Sequence, residues 1–191
     1  MKNLIEKIKS KIARSTEAED HLISISTERL IPKDTVLIRQ GERVHKIYFI
    51  KDGCLRAYHT NKQGKESTLQ FAIKDWWISD YMAIHSNELS NLTIESISDS
   101  NVIEFSVKDM NDILNHFPEY EPFQRYNLEQ HIVSLQKRIL NLLSLSAAER
   151  YDIFIKQYGD IEKNTKNYHI ASYLCITQES LSRIRVNKSK K

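Results

Sequence analysis

The sequence predicts an α+β chain: an N-terminal antiparallel β-roll of jelly-roll type flanked by helices, a long dimerisation helix, and a C-terminal helix-turn-helix domain. Three observations carry this reading. Short runs of branched and aromatic residues, separated by glycine-marked turns, fill residues 36–107. Apolar residues then recur at alternating spacings of four and three from Leu128 to Leu142. Last, NYHIASYLCITQESLSRIRV at 167–186 fits two short packed helices joined by a tight turn. The expected division is 1–117 for an N-terminal helix plus β-roll, 118–145 for the dimerisation helix, and 146–191 for the helix-turn-helix domain.

In chain order, residues 1 to about 28 read as helix, with Leu4, Ile5, Ile8 and Ile12 on one face. This segment lacks the apolar core of a signal peptide, and no stretch reaches transmembrane length. At Pro32 the period changes. VLIRQ, KIYFIKDGCLRAYHT, STLQFAI and NVIEFSV read as strands, with turns at Gln40-Gly41, Asp52-Gly53 and Asn61-Lys62-Gln63-Gly64. Three of the four glycines of the chain fall at these turns, so each marks a backbone conformation. Several short strands at close spacing form a small antiparallel barrel or jelly roll.

After Phe105 the pattern is helical. Val107 to Phe117 reads as a short helix stopped by Pro118, and a long helix follows from about Glu121 to Leu145. Within it Leu128, Ile132, Leu135, Ile139 and Leu142 form a coiled-coil seam, the expected dimer interface. A second stripe, Val133, Leu140 and Leu143, lies beside it, so that one stripe covers the roll while the other meets a partner helix. The alternative is that both are core within one subunit. Ser146 to Glu149 is a capping box, and Gly159 is expected to end the helix it starts.

In 167–186, Ile170, Ala171, Leu174, Ile176, Leu181 and Ile184 bury one face of each helix against the other. Thr177 is placed to cap the second helix, and Cys175 stands at the turn position where glycine is usual. The exposed face offers Gln178, Glu179, Ser180, Ser182 and Arg183, side chains able to bond base edges and phosphates in a major groove. Arg185, Lys188, Lys190 and Lys191 extend a basic surface from Arg183, while net charge over the 191 residues is only +3. The candidate DNA-binding set is therefore Thr177, Gln178, Glu179, Ser180, Ser182, Arg183, Arg185 and Lys188. The two cysteines, Cys54 and Cys175, have no CxxC spacing, which excludes a Cys-ligated cluster or zinc site built by this chain alone. They read as free thiols of a cytoplasmic protein.

RQGERVHKIYFIKDGCLRAYHTNKQGKE, NLEQHIVSLQKRILNLL and YHIASYLCITQESLSRIR, in this order, resemble the Crp/Fnr family of bacterial transcription regulators. The last segment is similar to the branch found in Bacteroidetes-type bacteria. The resemblance implies a cyclic-nucleotide-binding-like roll, a homodimer, and recognition helices that a small effector reorients on a palindromic site. It places Gln178, Glu179 and Arg183 at the base-contacting positions. Expected partners are double-stranded DNA, a second copy of the chain, RNA polymerase and a small-molecule effector of unknown identity, with no membrane partner and no cofactor.

The effector cassette does not carry over. Rolls that bind cyclic nucleotides hold the phosphate with a Gly-Glu pair and, about ten residues on, an arginine. Here, in WWISDYMAIHSNELSNLTIES, Ser79-Asp80 and Ser90-Asn91 stand at those places, and no arginine occurs between Arg56 and Arg125. Binding of cyclic nucleotides in the usual mode is not expected. Trp76, Trp77, Asp80 and Tyr81 form the candidate effector pocket, against the plainer reading that aromatic residues at a roll's edge are core. No spacing singles out a haem ligand among His45, His59, His85 and Cys54, and the family's wing after the recognition helix has no counterpart before Lys191. No nucleophile–base pairing or phosphate loop supports an enzyme. The competing class is a sensor or interaction module that has lost DNA binding.

Overall fold

The computed structural model describes residues 16–189 apart from 164, together with Leu4, Glu6 and Ile8. Ile5, Ile12, Lys190 and Lys191 lie outside the described residues. The elements are helix α1 (Thr16–Ser24), strands β1 (Ser26–Ile31), β2 (Val36–Ile38), β3 (Lys46–Asp52), β4 (Cys54–Thr60), β5 (Glu66–Ile73) and β6 (Trp77–Ile78), and helix α2 (Tyr81–Ser86). Strands β7 (Thr93–Ser96) and β8 (Ser100–Ser106) complete the roll. Helix α3 (Val107–His116), a 3-10 turn (Pro118–Tyr120), the long helix α4 (Glu121–Ser144), α5 (Ala147–Glu162), α6 (Asn167–Tyr173) and α7 (Gln178–Ser189) follow.

Two four-stranded antiparallel sheets, ordered β1-β8-β3-β6 and β2-β7-β4-β5, face each other. Ile31, Tyr48, Ile50 and Val102 from the first meet Ile38, Leu55, Ala57, Ala72 and Ile94 from the second in one buried core. Strand periodicity sends the intervening residues outward, yet they are buried too. Phe49, Ile103 and Phe105 pack beneath Leu4, Ile8, Ala18, Leu22, Ile113, Tyr120 and Phe123. On the opposite side Cys54, Phe71 and Ile97 pack beneath Phe154, Tyr158, Ile170, Leu174 and Leu181 of the C-terminal helices. This double covering explains why YFI and FAI read as continuous apolar runs instead of alternating ones. Between β3 and β4 only Gly53 turns the chain. Its φ is +88°, and a Cβ there would stand 2.3 Å from the Ser100 hydroxyl oxygen.

Three expectations need correction. The N-terminal helix does not reach residue 28: from Ser26 the chain is a strand paired along β8, because the open edge of β8 offers a full ladder. Four of the six residues of β1 are exposed, so it lacks the apolar alternation that announces a strand. The helix after the capping box does not stop at Gly159. It continues to Glu162 across a kink at Tyr158 (φ −129°, ψ 24°), whose hydroxyl donates to the Phe71 carbonyl (3.4 Å), so packing against β5 overrides the local stop signal. Strands β6 and β7 were not foreseen either, being two and four residues long. The capping box itself is present, with the Glu149 carboxylate accepting the Ser146 N–H at 2.8 Å.

Candidate functional site

Helices α6 and α7 form the helix-turn-helix. Ile170, Ala171, Leu174 and Leu181 are buried between them and the roll. The turn is closed by the Ile176 N–H donating to the Ala171 carbonyl (3.0 Å) and the Cys175 N–H to the Ser172 carbonyl (3.1 Å). This is a Schellman arrangement, with Cys175 in the left-handed position at φ 55°. Thr177 caps α7, its hydroxyl oxygen accepting the Ser180 N–H at 3.2 Å. Thr177, Gln178, Glu179, Ser182 and Arg183 are exposed and Ser180 is half-buried, so these six form one outward surface. Hydrogen bonding to Thr177 holds the Glu179 carboxyl below its ordinary pKa, keeping this acid charged on that outward surface.

Arg185 and Lys188 are not on that surface. Arg185 turns back onto α5 and α6, donating to Glu162 (2.5 Å), Asn167 (2.6 Å) and the Tyr151 hydroxyl (3.2 Å). Lys188 pairs with Asp152. Both follow from helical spacing, since they sit about one and two turns beyond Leu181 and Ile184 on the face toward α5.

On α4 neither apolar stripe covers the roll. Leu128, Ile132 and Ile139 are 43%, 54% and 54% exposed, Leu135 and Leu142 are half-buried, and Val133, Leu140 and Leu143 are exposed. The face turned inward is polar: Asn127, His131, Ser134, Arg138 and Asn141, half-buried at spacings of four and three. This seam precedes the apolar one by a single residue, about 100° around the helix. It was legible at the same period, masked by the stronger apolar repeat beside it.

Between that polar seam, the roll and the C-terminal helices lies a cleft of about 560 Å³. Trp76, Trp77 and Tyr81 line it. Trp77 also serves the core, stacking on Phe49 (5.1 Å) and Phe105 (5.5 Å). Tyr81 faces His131 at 5.8 Å, and burial pushes the His131 pKa down, favouring the neutral ring.

Asp80 departs from the expectation. It is only 1% exposed and does not line the cleft. One carboxylate oxygen accepts the Ala83 N–H (3.1 Å) and caps α2. The other accepts the Ser90 hydroxyl (2.8 Å) and the Asn91 N–H (3.1 Å). The two segments that stand where a phosphate cassette was sought are thus stitched together by an internal anion, which takes up their donors.

A second buried charge lies on the outer face of the β2-β7-β4-β5 sheet. Arg56 is fully buried, pairs with Glu66 and with Glu95 (2.9 Å), donates to the Thr68 hydroxyl (3.0 Å), and lies 4.0 Å from the Tyr58 ring centroid. Helix α6 covers this cluster. The Thr68 N–H donates to the Ser172 hydroxyl oxygen (2.8 Å), and His169 comes within 3.9 Å of Glu95. Burial, with Arg56 and Lys166 nearby, lowers the His169 pKa to about 3. The sequence gives no periodic or motif signal for this arginine.

Residues 28–117 match the cyclic nucleotide-binding domain family. The chain is 23% identical over 171 residues to an anaerobic regulatory protein of Haemophilus influenzae, covering 84% of this chain and 66% of the relative. It spans under two thirds of the length of the curated relatives it matches, 66% and 62%. Among solved structures, it is similar in fold to FixK2 from Bradyrhizobium japonicum (TM-score 0.74, 17% identity, 87% of this chain and 85% of that one). A chain from Eubacterium rectale described as a regulator of the Crp/Fnr family gives TM-score 0.74 at 16% identity, over 93% of this chain and 85% of that one. Among the described residues, no helix is long and apolar enough to cross a membrane.

Proposed function

We propose that this Crp/Fnr-type chain, whose residues 28–117 belong to the cyclic nucleotide-binding domain family, is a homodimeric, sequence-specific DNA-binding transcription regulator. Its working parts are a sensory roll to residue 117, a pairing helix over 118–145 and a reading module over 146–191. The observation that carries the proposal is the outward surface of α7: a capped N-terminus presenting Gln178, Glu179, Ser182 and Arg183, all exposed. The regulatory name of its relative points the same way. Arg183 reads a base, and Arg185 and Lys188 shape the module through their ion pairs with α5.

Pairing falls to the exposed seam of α4. An unpartnered apolar stripe of this length on a water-facing helix is stabilised by a second copy of itself. Leu128, Ile132, Leu135, Ile139 and Leu142 meet their counterparts, and the two reading helices come to adjacent half-sites. Ile139→Glu leaves a charge in that contact without a partner, giving monomers by light scattering and no operator binding.

A gel-shift series at two salt concentrations, on DNA selected from a genomic library, tests the reading. Salt-sensitive, sequence-selective binding is expected. Arg183→Ala is expected to cost about 1–3 kcal/mol on the preferred site and little on unrelated DNA. Binding that is absent at both salts, or an equal loss on every sequence, overturns it. The same protein is expected to bind neither cyclic AMP nor cyclic GMP in calorimetric titration, since Asp80 fills the cassette with its own negative charge.

A further inference from the structure

We propose that the cleft between α4, the roll and the helix-turn-helix is a binding site for a small aromatic carboxylate, with Arg138 as its charge partner. The site is separate from the cassette closed by Asp80, and nothing in it depends on DNA being read.

The cleft's volume of about 560 Å³ falls within the range of small-molecule sites, about 300–1,000 Å³. Its walls carry the chemistry of a flat anion. Trp76, Tyr81, Tyr126 and Tyr173 supply aromatic surface. Lys137, Arg138 and Arg150 contribute three positive charges against one carboxylate, Asp75.

Arg138 is the distinctive group. Arg56 and Arg185 have carboxylates at bonding distance, and the half-buried Arg150 spends its guanidinium nitrogens on the Leu145 and Leu174 carbonyls. Among the described residues Arg138 has neutral acceptors only: its Nη2 donates to the carbonyls of Thr68 and Tyr173, both at 3.0 Å. Its guanidinium carbon lies 4.6 Å from the Tyr173 ring centroid. Its Nε–H is closed off from water and has no acceptor among the described residues. A half-buried guanidinium without a counter-ion, stacked on an aromatic ring, is matched by a planar carboxylate with a ring attached. Because Arg138 joins β5 to the last turn of α6, a ligand that draws its charge acts on both modules at once.

Both tryptophans of the chain line the cleft, so tryptophan fluorescence, excited where the nine tyrosines do not absorb, reports on it. The probe is 4-nitrobenzoate, whose nitroarene quenches indole, with 4-nitrobenzamide as the uncharged control. Saturable quenching by the carboxylate is expected, at least tenfold weaker for the amide and for Arg138→Gln. Ser134→Phe, which fills the cleft from α4 and keeps the Arg138 charge, is expected to lose the saturable phase as well. It carries the test if Arg138→Gln fails to fold by circular dichroism. Quenching that is linear in both compounds, equal for both, or unchanged in Ser134→Phe overturns the site. With no DNA in the cuvette, that failure leaves the DNA reading untouched, and a failed gel shift leaves the site untouched.

Discussion

On the outer face of the β1-β8-β3-β6 sheet, Phe49, Ile103 and Phe105 meet a dry layer of aliphatic and aromatic side chains. On the outer face of the β2-β7-β4-β5 sheet, the apolar contact of Phe71 with Phe154 and Tyr158 gives way to Arg56, Glu66 and Glu95 under His169. Both faces are closed, but separation would cost them differently. Uncovering the first exposes only apolar surface to water, at roughly 25 cal/mol per Å². Uncovering the second also returns an arginine and two carboxylates to solvent, and their rehydration offsets part of the loss. The first cover therefore belongs to the roll, whereas the second is a module held in one orientation by a contact that is cheaper to open.

The largest effects are expected where this contrast is attacked directly. Phe49→Ala should cost about 3–5 kcal/mol in chemical denaturation, through lost burial and the cavity left behind, and should melt roll and helices together. Arg56→Ala leaves Glu66 and Glu95 without their cation beneath α6. Because those acids keep some water (29% and 17% exposed), a loss of about 2–3 kcal/mol is expected, below that of a fully buried pair. Native-state hydrogen exchange separates the two variants. In Arg56→Ala the amides of α6 should lose protection well before those of β8, and equal loss in both would show that the two faces open as one unit.

The apolar cover was far easier to read in the sequence than the charged one. Leu4 and Ile8, Phe49, Phe105 and the capping box at Ser146 each belong to a pattern with a period or a fixed spacing. So do the helix-turn-helix positions, down to the left-handed turn at Cys175, since turn geometry is local. Arg56 was illegible because its partners lie 10 and 39 residues away and its burial depends on a module more than a hundred residues further on. Asp80 was visible as a departure from a cassette, but its partners Ser90 and Asn91 emerge only once the roll has closed. The face of α7 that carries Arg185 follows from helical spacing, but its partner Glu162, 23 residues away, does not.

Acid should sharpen the contrast further. His169 is 3% exposed and faces Glu95 and Arg56 of the roll, with Lys166 and Tyr168 on its own segment. Its pKa falls from 6.5 to about 3, so the native ring is neutral. The stability tied to that neutrality is complete above pH 6.5 and is lost progressively as the pH falls from there toward 3, because the unfolded chain then binds the extra proton. Thermal midpoints should drop between pH 7 and 5, and His169→Gln should flatten the drop. An equally steep drop in the variant would place the acid sensitivity elsewhere. The apolar face, whose core cluster has among the described residues no titrating group other than Tyr120, should contribute no slope in this window.

The smallest effect lies inside the orienting module. Cys175 holds a left-handed conformation that costs an L-residue about 1–2 kcal/mol, and its exposed thiol takes no part in the core. Glycine removes that strain but adds about 0.4–1 kcal/mol of freedom to the unfolded chain, so Cys175→Gly should stabilise by only about 0.5–1 kcal/mol. Cys175→Ala keeps the strain and removes the sulfur, and should be close to neutral. The pair isolates backbone from side chain in a single denaturation series. If alanine stabilises as much as glycine, the thiol and not the turn is the source of the cost. If neither does, the Schellman hydrogen bonds from Cys175 and Ile176 already compensate the conformation in full, and the module is as tightly built as the dry face it is compared with.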